Sequence, residues 1–235
     1  MAYLLKLIVS LQAANSVQRA LQAPTPPPGF DFTCSAGEIA TTVRWGDVTI
    51  QENEAPNTQN VVLSNGMPVT LTTSKTANAQ IAEYKQINNG EILFTARIVI
   101  DETDVIGSTN PMTYPDDYIT LKIQFEEELS DLYISIGDVD STSTIADATR
   151  VRMEDGLGNS VPLTMAKTGT IEVVDNFAYE TVVGKGVGNP GRESSLYALA
   201  NGKVQTIYLD QSVFAYSASS VGSLSGKRGG ECPIV

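Results

Sequence analysis

Histidine is absent from the 235 residues, cysteine occurs twice and tryptophan once. Without imidazole there is no Ser-His-Asp or Cys-His nucleophile, no His-ligated zinc and no His-held haem. Charge is scarce as well: 18% of residues are charged, with 27 acids against 15 bases, for a formal net charge of −12. A chain so acidic lacks the basic footprint of a nucleic-acid binder, and its field repels phosphate backbones. What is abundant is apolar material, 42% of the chain, which is enough for a full core and places it among globular proteins of one or two domains.

The acids are unevenly spread. None precedes Asp31, whereas Lys6 and Arg19 do. Residues 1–23 form a separate module with a short apolar run, M-A-Y-L-L-K-L-I-V-S-L. It is a signal or targeting segment on one reading and a retained amphipathic helix on the other, with Leu4, Ile8, Leu11, Ala14, Val17 and Leu21 at helical spacing. It is too short and too charged for a transmembrane span. Residues 24–30 follow as a linker, Pro24-Thr25-Pro26-Pro27-Pro28-Gly29-Phe30, where proline fixes φ and removes donors. Residues 31–235 are then expected to be a single domain. Cys34 and Cys232 stand at its two limits. They are expected to form a disulfide clasp, within one chain or between two, with a pair of cytosolic thiols as the alternative.

From Glu38 onward the pattern has period two. Ile92, Phe94, Ala96, Ile98 and Ile100 fall on one face, and Ile119, Leu121, Ile123 and Phe125 alternate with Tyr118, Thr120, Lys122 and Gln124. Further strands are expected over 39–50, 61–64, 69–73, 132–136, 149–153, 171–174, 178–183, 204–209 and 213–216. Asn65-Gly66, Asn89-Gly90, Asp155-Gly156 and Asn201-Gly202 supply hairpin turns. Short helices are expected only around 77–84 and 194–200. The fold class is therefore all-β, an antiparallel β-sandwich of jelly-roll type with a short N-terminal helix or signal segment.

The stretch from Leu132 to Asn159 holds the main candidate site. Asp138 and Asp140 lie two apart at a strand end, a Ser/Thr loop follows, Asp147 opens the next strand, and that strand ends in Glu154-Asp155-Gly156. This Asp-hydrophobic-Asp-Ser turn with its following hairpin resembles a segment of β-sandwich domains in bacterial secreted and cell-surface, adhesin-type proteins. The resemblance implies an extracellular sandwich used in adhesion or surface structure. Physically, Asp138 and Asp140 share a face in an extended strand and, with Asp147 and carbonyls near Ser141, could ligate one calcium ion. The alternative is that these carboxylates cap a turn through backbone N–H groups.

Other features are weaker. Gly184 to Arg192 is glycine-rich but lacks phosphate-loop spacing, and is expected to be a surface loop. Glu126-Glu127-Glu128 is expected to end its strand. Trp45 is assigned to the core, and Tyr114 is the better exposed candidate for a sugar-stacking ring. The resulting expectation is a non-enzymatic secreted or cell-surface structural or adhesive module, calcium-stabilised, with a surface glycan or protein as partner. Two alternatives stand beside it: a subunit that self-assembles through its N-terminal segment, and a calcium-dependent carbohydrate-binding module. A glycan-cleaving pair of acids also stays open, because its signature is a carboxylate separation.

Overall fold

The computed structural model describes residues 5–10, 50–62, 66–87, 91–109, 112–130, 132–137, 139–184, 194–220 and 224–226. Cys34, Cys232, Trp45, Asp138, the turn at 89–90 and residues 185–192 of the glycine-rich loop lie outside these.

The described residues form two antiparallel sheets. Sheet A contains β1 (Leu5–Ser10), β4 (Ala79–Ile87), β5 (Glu91–Val99), β7 (Tyr133–Gly137), β9 (Leu163–Thr168), β12 (Ser195–Ala200) and β14 (Leu224–Gly226). Its order is β14-β5-β1-β7-β12-β9, with β4 also paired to β5. Sheet B contains β2 (Thr58–Val62), β3 (Pro68–Lys75), β6 (Ile119–Leu129), β8 (Ile145–Glu154), β10 (Ile171–Val174), β11 (Phe177–Glu180) and β13 (Val204–Ala215). Its order is β10-β11-β8-β13-β6-β3-β2. The expected all-β antiparallel architecture is what the chain adopts, and no described helix is long and apolar enough to cross a membrane.

Period-two alternation sets which side of each strand is buried. Ile119, Leu121, Ile123 and Phe125 of β6, Val151 and Met153 of β8, and Ile207, Leu209 and Val213 of β13 meet Phe94, Ile98, Ile134, Ile136 and Leu196 of sheet A in one core. A second, smaller core lies on the opposite side of sheet B. There Tyr114, Ala146, Ala148, Phe177, Tyr179 and Phe214 pack together, with Met112 and Tyr118 against them. Residues 100–109 and 112–118 lie along this outer surface. Their 3₁₀ turn Glu102–Asp104 is closed by a capping box, Asp101 accepting from Asp104 N–H and Asp104 from Asp101 N–H.

Several expectations are corrected. Residues 77–84 and 194–200 are not helical: they hold strands β4 and β12. In β12 the burial of Leu196, Ala198 and Ala200 has period two, so pairing with β7 and β9 overrides the helix propensity of Leu and Ala. Residues 5–10 form a strand, antiparallel to both β5 and β7, while the rest of the 1–23 segment, over which a helix was one expectation, lies outside the described residues. Strand β6 does not end at the glutamates but runs to Leu129, with Glu126, Glu127 and Glu128 all exposed. Finally, 204–209 and 213–216 are not two strands, because β13 passes unbroken through Asp210-Gln211-Ser212.

Candidate functional site

The segment singled out for calcium folds as a tight turn. Ser141 bridges Ala146, Thr142 N–H donates to Ile145 C=O at 2.8 Å, and Thr142 Oγ1 accepts from the N–H groups of Thr144 and Ile145. Threonine therefore caps this turn. The structure brings Asp140 and Asp147 together: Asp147 N–H donates to Asp140 C=O at 2.8 Å, and Asp147 Oδ2 accepts from Asp140 N–H at 3.4 Å. Both are buried, at 7% and 2% exposure. Glu180, which sequence reasoning passed over, is wholly buried in the same region. Its Oε1 accepts from Thr181 and Val182 N–H and its Oε2 from Ser194 Oγ, while its carbonyl accepts from Tyr216 Oη. Burial, with the charges of Glu180 and Asp147, pushes the Tyr216 hydroxyl up to about 12. Among the described residues no three acidic or cysteine side chains are grouped to hold a metal ion. The expected trio depends on Asp138, which lies outside them.

A larger polar constellation occupies the outer face of sheet B, and no sequence expectation anticipated it. Asp210, wholly buried at the middle of β13, accepts four hydrogen bonds. Arg150 Nε reaches Oδ2 at 2.8 Å, Arg152 Nε reaches Oδ2 at 2.9 Å, Arg152 Nη2 reaches Oδ1 at 3.0 Å, and Thr120 Oγ1 donates to Oδ1 at 2.7 Å. Register explains the meeting, since Asp210 lies opposite Arg150 on β8 and Thr120 on β6. One carboxylate thus holds two guanidiniums, and a positive charge is left over. Burial disfavours the charge of Arg152, but the bond and charge of Asp210 outweigh it and hold its pKa above the ordinary arginine value.

Tyrosines brace the two arginines. The Arg150 guanidinium lies 4.2 Å from the ring centre of Tyr114 and 4.8 Å from that of Tyr118. Tyr114 is therefore not the exposed ring that the sequence suggested. It is buried beside Phe177, donates to Ala148 C=O, and has its hydroxyl pKa raised by burial first and by the charge of Asp210 second. Arg152 lies 4.7 Å from the ring centre of Tyr208, and Lys122 Nζ approaches the same ring to 5.9 Å. Tyr208 Oη donates to Glu154 Oε2 at 2.9 Å. Next to this array opens a cavity of about 510 Å³ whose lining includes Arg152, Glu154, Ser160, Asn176, Val161 and Leu163. Asp175, at the turn before β11, borders it in the left-handed region at φ 51°.

The signal for this array was present as R-V-R on β8 and Y-L-D on β13, two alternations of equal parity. It becomes readable only once the pairing of those strands is known. Comparison with protein families, curated proteins and solved structures finds no match to this chain.

Proposed function

We propose that this protein is a non-enzymatic structural or adhesive module of a secreted or cell-surface protein, working through the outer face of sheet B. The observation carrying the reading is that face itself: a polar surface in register across five strands and braced by the buried Asp210. Rigid display of side chains on paired strands suits recognition of an extended partner. Asp140 and Asp147 are the described carboxylates that a stabilising calcium ion would use. Surface labelling of intact source cells with a membrane-impermeant reagent tests the location. The expected result is labelling of the chain before lysis, and labelling only after lysis contradicts the reading.

A second reading is self-assembly, favoured by the position of β1. Between β5 and β7, its register sets Leu7 opposite Ile136 and Val9 opposite Ile134, both buried in the core. A strand that completes a sheet in this way can also be donated between copies. Removing residues 1–28 should then convert large species to monomers in a sizing experiment, and an unchanged size distribution contradicts it.

A further inference from the structure

Two rows of residues cross the outer face of sheet B from strand to strand. One runs Thr58, Thr72, Lys122, Tyr208, Arg152, and its neighbour runs Asn60, Thr70, Gln124, Thr206, Glu154. Five strands span about 19 Å. The surface is rich in hydroxyl and amide groups, with the ring of Tyr208 in the first row and the exposed Val62 at its outer edge on β2.

Its cations gather in the first of these rows and beside it. The chain carries −12, yet this face presents Lys122 and Arg152, with Arg150 partly covered behind them. The acids facing this group are Asp210, shared by both arginines, Glu154, whose Oε2 is engaged by Tyr208, and the exposed Glu126, two residues beyond Gln124 on β6. Lys122 and Arg152 stand two strands apart, on the order of 9.5 Å. They flank Tyr208, whose hydroxyl is bonded to Glu154. Asp210 takes Nε and Nη2 of Arg152, whose side chain is still 37% exposed.

We propose that this row binds a linear acidic polysaccharide, with Lys122 and Arg152 each taking a carboxylate and Thr70, Thr72 and Gln124 bonding hydroxyls. Carboxylates spaced along a sugar chain meet the two cations without bringing dense charge against the acidic remainder, as a nucleic acid would. The cavity beside Arg152 extends the surface at one end. This inference rests on the adhesive reading and names the ligand class for it.

The test is titration of the full chain with polygalacturonate and with its methyl ester, the same backbone without charge, at 0.15 M salt to limit non-specific ion exchange. Lys122→Gln is compared with Lys203→Gln, which removes an equal charge at the exposed 201–203 turn, and thermal melting confirms that both variants fold. The expected result is binding of the acid form, at least about fivefold weaker with the ester and about fivefold weaker for Lys122→Gln, with less than about twofold loss for Lys203→Gln. No binding, equal binding of acid and ester, or equal loss in the two variants overturns the proposal. Surface labelling of intact cells then reports separately on whether the adhesive reading stands.

Discussion

Asp210 carries more consequence than any other residue on sheet B, because removing it leaves two arginines on a partly buried surface without their shared counter-charge. Asp210→Ala should destabilise by roughly 3–5 kcal/mol in urea unfolding, as breaking one side of a buried ion pair does. Lys122→Gln, which breaks no ion pair, should cost well under about 1 kcal/mol in the same measurement. Equal losses would show that the triad contributes nothing specific. Asp104 gives a second test. Burial first, and the nearby charges of Asp101, Asp116 and Asp117 after it, raise its carboxyl pKa to about 6. The folded state therefore holds this proton more tightly than the unfolded chain does. The contribution is full below the ordinary carboxylate value and is lost as pH rises through about 6. Asp104→Asn keeps an acceptor for Asp101 N–H, so it should gain on the wild type by an amount on the order of 1 kcal/mol between pH 4 and pH 7. A pH-independent difference would refute the assignment.

Strands and turns show where the sequence could be read and where it could not. β5 and β6 were legible because hydrophobic residues alternate along them without interruption. β13 was not, since Asp210-Gln211-Ser212 has the composition of a turn, and the arginines of β8 with the Thr120 hydroxyl of β6 make its aspartate compatible with burial. β4 and β12 were hidden by helix-forming alanine, leucine and glutamine. The Asp155 hairpin was located correctly, but its strained position was not. Asp155 accepts from Leu157 and Asn159 N–H, and the positive φ of 80° falls on Gly158, not on Gly156. Gly158→Ala should therefore cost about 1 kcal/mol of stability. Gly156→Ala should cost less, because its added Cβ meets only the movable side-chain ends of Glu128 and Gln205. A reversed order in chemical denaturation would contradict the turn geometry. The two-residue turn Asp175-Asn176 joining β10 to β11 lacks glycine, and so lacked the signal that marked the other hairpins.

At the scale of the described molecule, two sheets share one core, while Ile106, Met112, Tyr114 and Tyr118 help build a second core on the outer side of sheet B beside the polar rows. Of the candidate site, the sequence revealed Asp140 and Asp147 as neighbours but not their burial, nor the buried Glu180 close by. The outer-face array was illegible because it is assembled from β6, β8 and β13, which are far apart along the chain. The central claim is that this outer face is an adhesive surface. The measurement that tests it most directly is attachment under flow of beads coated with the full chain to a surface bearing polygalacturonate, comparing wild type with Lys122→Glu. The account predicts that wild-type beads hold and that the reversed charge releases most of them while leaving the melting temperature unchanged. Equal attachment of the two, or attachment of neither, would contradict it.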